Sequence, residues 1–168
     1  MSAMQRNKGK AGEREAADLV RQFTGWDVRR RVRQHAGDSD LQGVPGWAVE
    51  VKRHRTAQPG EVARWWAQAV TQAAQAGALL PVLLYRADRA EWRAVWPLAV
   101  CLVQQHADAW RGVEWTADTT VQAWAAVARE CVVSGAGETG PARPEIGPWR
   151  GVPCGGGQPC PKLPARLD

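Results

Sequence analysis

Apolar positions along this chain follow a helical period in some stretches and a strand-like one in others. Ala16, Leu19, Val20 and Phe23 share a stripe, which predicts a helix over Ala11–Phe23 that Gly25 ends. Glu13 falls on that buried stripe, while Glu15 and Asp18 fall on the solvent side. Trp26–Val32, Ser39–Gln42 and Trp47–Lys52 read as three successive strands, the last two joined by the turn Gly43-Val44-Pro45-Gly46. Gln58-Pro59-Gly60 punctuates the chain ahead of a second helix over Glu61–Ala76, which Gly77 ends. On it Ala69, Val70, Ala73 and Ala74 supply a core side, and Gln68, Gln72 and Gln75 share another face. Pro81–Tyr85 is a buried strand, and Glu91–Trp96 returns beside it across the polar turn Arg86–Arg89. Two further helices, Leu98–Trp110 and Thr119–Cys131, are expected on either side of a short strand Val113–Trp115. The pattern is that of an α/β domain.

From Ser134 onward the pattern stops. Residues 134–168 hold 8 Gly and 7 Pro in 35 positions, a composition that does not build a packed core. The expected organisation is therefore a folded domain over 1–133 and a disordered tail over 134–168. The longest apolar stretch, Ala78–Tyr85, is too short to span a bilayer. Met1–Lys10 is polar and lacks the apolar segment of a secretory leader. Cys154 and Cys160 are separated by five residues, with no second pair and no nearby His, so a zinc site is not indicated. Cys101 and Cys131 lie in apolar helical settings and read as buried thiols. A cytoplasmic protein with reduced thiols and no membrane attachment is the expectation.

Charge adds a location to this picture. The net charge is +5, and residues 1–60 carry all of it, with 12 Lys/Arg against 7 Asp/Glu; the remainder balances at 10 against 10. A basic excess confined to one part of the chain suits an anionic partner such as a phosphate backbone.

Within that basic part lie Gly37-Asp38-Ser39-Asp40-Leu41 and Val49-Glu50-Val51-Lys52. A strand sends alternate side chains to one face, so Glu50 and Lys52 project together while Val49 and Val51 point into a core. A hairpin through Gly43–Gly46 brings the Asp40 carboxylate beside Glu50. Asp38, two residues earlier, is the alternative acidic ligand. Two carboxylates with an ammonium between them suit a hard cation such as Mg²⁺, which takes oxygen ligands and keeps several waters. Glu-x-Lys alone describes many solvated strand edges; the upstream Asp and the glycine turn give it meaning.

The order helix with inward Glu, basic strand, Asp, hairpin, Glu-x-Lys, helix with inward Gln, strand resembles the PD-(D/E)XK nuclease superfamily over about residues 5–86. Within it, Gly9-Lys10-Ala11-Gly12-Glu13-Arg14-Glu15 is similar to the opening of archaeal-type and phage Holliday junction resolvases. One departure is Ser39, where the superfamily pattern has Pro before the Asp. The resemblance implies a restriction-endonuclease-like core, a central mixed β-sheet flanked by helices. It implies a Mg²⁺-dependent DNA endonuclease, with Mn²⁺ able to substitute, acting on branched DNA as a junction resolvase. Cutting of linear or single-stranded DNA by a phage or mobile-element nuclease is the alternative, and a DNA-binding module without catalysis a further one. Asp40, Glu50, Glu13 and the Val51 carbonyl would hold the metal, and Lys52 would orient or help deprotonate the attacking water. Gln68 is similar in placement to a glutamine near such sites, with Gln72 the competing choice. Lys8, Lys10, Arg14, Arg29, Arg30, Arg31, Arg33, Arg53 and Arg55 form the expected DNA-binding surround. A junction resolvase needs two sites at fixed separation, so a homodimer is expected, with Trp65-Trp66 or the segment around Trp92 and Trp96 as its apolar surface.

Overall fold

The computed structural model describes residues 3–32, 39–77, 79–101 and 112–136, with backbone alone at 3–8 and 132–136. The chain runs α1 (Ala3–Thr24), β1 (Arg29–Arg30), β2 (Leu41–Gln42), β3 (Trp47–His54), α2 (Pro59–Gln75), β4 (Leu80–Ala87), β5 (Arg93–Pro97), β6 (Thr116–Thr120) and α3 (Val121–Ala136). Strands β3-β4-β5-β6 form one mixed sheet in that order, parallel between β3 and β4 and antiparallel thereafter. Strands β1 and β2 form a separate antiparallel pair, Arg29 opposite Gln42 and Arg30 opposite Leu41. The parallel step from β3 to β4 needs a crossover, and α2 supplies it.

The alternation along β3 sorts the core into two. Val49 and Val51 join Val82 and Leu84 of β4 under Ala16, Ala17 and Val20 of α1 and under Val121, Trp124, Ala125 and Ala128 of α3. Trp47 meets Trp124 edge-on, with ring centroids 5.5 Å apart. On the other face Leu83, Tyr85 and Val95 pack against Val62, Trp66 and Ala69 of α2. The result is a sheet with α1 and α3 on one side and α2 on the other, each helix burying its apolar stripe.

Local chemistry fixes the ends of the elements. Pro59 opens α2 where its missing N–H costs nothing, and the Glu61 side chain accepts the Gln58 backbone N–H at 3.0 Å. Thr120 caps α3, its hydroxyl accepting the Ala123 N–H at 3.2 Å. Gly43 has φ +84°, and a Cβ there would stand 2.2 Å from the Asp27 carbonyl oxygen, so both conformation and contact require glycine.

Several expected boundaries shift. Helix α1 starts at Ala3 rather than Ala11, because the polar lead extends the helix without an apolar stripe to announce it. Strands β1 and β2 are two residues each, far shorter than Trp26–Val32 and Ser39–Gln42. Val113–Trp115 is a 3-10 turn; the strand is Thr116–Thr120, whose threonines pair with β5 from Arg93 to Pro97. Leu98–Cys101 is likewise a 3-10 turn rather than the start of a helix, and the rest of that expected helix lies outside the described residues. Helix α3 continues to Ala136, past the expected domain boundary; the tail from residue 137, with Cys154 and Cys160, lies outside the described residues. Cys101 is exposed rather than buried. Trp66, Trp92 and Trp96 are buried in this chain's own core, which leaves Trp65, half-buried, as the one expected interface tryptophan with exposed surface. Among the described residues no helix is long and apolar enough to cross a membrane.

Candidate active site

Strand β3 runs along the border of the main sheet, and Ser39 and Asp40 are stitched to it. The Asp40 N–H donates to the Val49 carbonyl at 2.9 Å, and the Arg31 N–H donates to the Asp40 carbonyl at 2.8 Å. Ser39 is buried; its hydroxyl accepts the Val49 N–H at 2.9 Å and shares its proton between the carbonyls of Leu41 and Val49. A proline at this position would have no hydroxyl to make those links. Ser39 therefore reinforces by side chain the backbone link between Asp40 and β3.

The Asp40 carboxylate, 2 % exposed, lies against β3: its Oδ2 accepts the Val51 N–H at 2.8 Å. The peptide it touches is the one joining Glu50 to Val51. Glu50 is fully buried, and the Lys52 ammonium stands 2.6 Å from its Oε1. The hairpin thus lays the Asp40 carboxylate on the Glu50–Val51 peptide, and the strand alternation sets Lys52 against Glu50. Burying a carboxylate is costly unless its charge is balanced and its lone pairs are used, and the Lys52 ammonium supplies part of that balance. Asp38, the alternative ligand, lies outside the described residues.

The other expected members are placed differently. Alternation puts Glu50 and Lys52 on the α2 side of the sheet, with Leu83 and Tyr85, their register partners on β4. Glu13 belongs to α1 on the opposite side, where its Oε2 accepts a hydrogen bond from Arg30 Nε. Among the described residues no three His, Cys, Asp or Glu side chains gather into a group able to hold a metal ion. Glu13 therefore does not complete a cluster with Asp40 and Glu50. Gln68 is exposed, whereas Gln72 is buried on the sheet-facing side of α2. The three glutamines do not share an environment; a 17-residue helix turns Gln72 inward and leaves Gln68 and Gln75 in solvent.

The basic surround divides in the same way. Lys10, Arg14 and Arg55 are exposed. Arg29 is also exposed but paired to Asp27 at 2.9 and 3.1 Å, a contact that raises its pKa further. Arg30 is committed to Glu13, and Arg53 to Glu15 at 2.6 Å. Arg33 and the Lys8 side chain lie outside the described residues. Glu15, expected in solvent, bridges Arg53 of β3 and Arg86 of β4, the latter at 3.0 Å. Those two arginines are register partners, a pairing that no local pattern in the sequence reveals.

A second polar group escapes the sequence entirely. The Tyr85 hydroxyl donates to Asp118 Oδ2 at 2.7 Å, and Arg93 Nε donates to Asp118 Oδ1 at 2.9 Å. Burial, together with the bond to Asp118, pushes the Tyr85 phenol up to about 12.

Comparison with known proteins bears on this arrangement. The chain matches, over residues 4–128, the family described as phage putative PDDEXK endonuclease, and the match takes in α1, Asp40, Glu50-Val51-Lys52, α2 and the whole main sheet. No curated protein and no solved structure matches it. A match over well more than half of the chain, on a fold and motif of this kind, supports a nuclease, and nucleases of this superfamily generally use divalent metal ions. The chain belongs to the phage PDDEXK endonuclease family.

Proposed function

We propose that this protein is a Mg²⁺-dependent endonuclease that hydrolyses phosphodiester bonds in DNA, with branched DNA as its preferred substrate. The observation that carries the catalytic reading is the buried group of Asp40, laid on the Val51 N–H, with Glu50 and its neighbour Lys52 at 2.6 Å. The donors fit the ion: Mg²⁺ is commonly held by one or two carboxylates with waters completing its shell. Within a strand the N–H and C=O of one residue point to the same side, so the Val51 carbonyl faces the Asp40 side and is a third oxygen donor there. When bound, the ion supplies a nucleophilic hydroxide near neutral pH and charge neutralisation at phosphorus.

The chain's own residues do the rest. Asp40 and Glu50 hold the ion, and their burial fixes its position against the strand. Lys52 reaches this centre from the same face and orients the attacking water or takes its proton. Gln72, buried on the same side of the sheet, replaces Gln68 as the glutamine that lines the site. Glu13 acts indirectly, from the α1 side, by holding Arg30. Lys10, Arg14 and Arg55 contact the phosphate backbone.

The branched substrate rests on the likeness of Gly9–Glu15 to the resolvase opening. Cleavage of four-way, flap, duplex and single-stranded DNA with Mg²⁺, and with chelator as control, tests both parts. Cutting of the four-way junction at two symmetric positions is the expected result. Metal-dependent cutting without junction preference removes the resolvase reading; no cutting of any form removes the nuclease.

A further inference from the structure

We propose that His54, Trp65 and Tyr85 form a stacking platform for an unpaired nucleobase immediately beyond Lys52. The proposal rests on the nuclease reading above for where the cleaved phosphate lies, and deepens it by naming the state of the neighbouring nucleotide.

The three rings come from three elements and converge at one end of the proposed site. Alternation along β3 carries Glu50, Lys52 and His54 to the same face. Tyr85 is the register partner of Lys52 on β4. Trp65 of α2 lies over both, with ring centroids 6.3 Å from Tyr85 and 4.6 Å from His54. Tyr85 is buried and pinned by Asp118, Trp65 is half-buried, and His54 is exposed. The row therefore runs from a rigid inner ring to an outer ring in contact with solvent.

Chemistry and distance identify the occupant. Aromatic rings beside a cationic track are how proteins hold single-stranded nucleic acid, because every base offers a π-face and the backbone alongside needs neutralising. Arg55 follows His54 and Arg64 precedes Trp65, and both are exposed. Two strand residues span about 7 Å, so a base resting on His54 belongs to a nucleotide at or next to the one whose phosphate meets Lys52. In an intact duplex that base stacks on its neighbours and cannot reach the row. The platform accordingly favours a nucleotide without a pairing partner: a branch point, a flap or a single strand.

The test measures binding of the wild-type chain in EDTA to a single strand and to a blunt duplex of the same sequence. Both carry 2-aminopurine as a fluorescent base, and parallel titrations use His54→Ala, Trp65→Leu and Trp65→Phe. Loss of one base stack costs between about five- and 150-fold in affinity. The expected result is that His54→Ala and Trp65→Leu lower the ratio of single-strand to duplex affinity by about tenfold. Trp65→Phe retains most of it, and the wild type quenches the probe in the single strand. An unchanged ratio, an equal loss on both substrates, or an unquenched probe overturns the platform. Should Trp65→Leu lose its cooperative melt, His54→Ala, at an exposed side chain, carries the test. Wild-type cleavage in Mg²⁺ separates the two readings. Cleavage with no dependence of binding on Trp65 or His54 removes the platform alone. Ring-dependent binding without cleavage removes the nuclease alone.

Discussion

Three side chains, Asp40, Glu50 and Lys52, carry the chemistry on the proposed reading, and each has a distinct expected consequence when removed. Asp40→Ala and Glu50→Ala take away oxygen donors, and each should lower cleavage at least about a thousandfold while DNA binding persists on the exposed cations. Lys52→Ala should cost about 10²–10⁴, the span expected for a positioned proton-transfer group. A Glu50→Ala variant that cuts at the wild-type rate would end the assignment. Tyr85 offers a different measurement, because it is the only tyrosine in the chain. Its phenol is held up to about 12, first by burial and then by the bond to Asp118, whereas an unfolded tyrosine ionises near ~10. The native state thus keeps this contribution to stability below about pH 10 and loses it as pH rises through about 12. Phenolate absorbance followed against pH should give a single late transition, and Asp118→Asn should bring it earlier. A transition at the ordinary value in the wild-type chain would contradict the buried Tyr85–Asp118 pair.

At the scale of elements, the docking of α1 depends on partners distant in sequence. Gly12 lies so close to the stem of Arg53 that a Cβ would meet Arg53 Cβ at 3.0 Å, and Glu15 beside it bridges Arg53 and Arg86. Glu15→Ala should therefore destabilise the fold by only about 1 kcal/mol, since the bridge is partly solvated. Trp124→Ala, which empties a fully buried site between α3 and the sheet, should cost about 3–5 kcal/mol. Denaturant melts of the two variants side by side check both figures; equal losses would mean that Glu15 is more deeply committed than its exposure indicates. These elements also show what the sequence could convey. Strand β3 was legible because alternation and the Glu-x-Lys spacing are local properties of eight consecutive residues. The same holds for α2 and for the β4–β5 hairpin. Strand β6 was misplaced because Trp115 looks apolar in isolation, while the threonines that pair depend on β5 across the fold. The side chains that finish the site depended on tertiary partners: Gln72 instead of Gln68, Glu13 with Arg30, Glu15 with two arginines.

For the whole molecule, the distribution of cations predicts the form of DNA binding. Of the nine basic residues expected on the DNA surface, Lys10, Arg14 and Arg55 are exposed, while Arg29, Arg30 and Arg53 are already paired with carboxylates of the chain. Neutralising Lys10, Arg14 and Arg55 together should flatten the slope of log affinity against log salt by about 0.9 for each phosphate that no longer meets a cation. An unchanged slope would move the DNA surface elsewhere. Cutting a junction on two strands requires two sites, so the resolvase reading predicts a homodimer, which light scattering with and without junction DNA can establish. Three of the four tryptophans nominated for its interface are core residues. A monomer in both conditions would leave the endonuclease and remove the resolvase.

Glu13 and Glu50 hang on opposite sides of one sheet. A DNA strand whose phosphates meet the exposed Lys10 and Arg14 of α1 as well as the Lys52 side has to wrap the border strand, the way a finger hooks over the rim of a plate. Bound DNA would then restrain α1 from one side and α2 from the other in the same event, although the sheet separates the two helices. Amide exchange should report this as a joint slowing at the start of α1 and along the inner face of α2, appearing at one DNA concentration. Such coupling would travel through the substrate and would vanish with it.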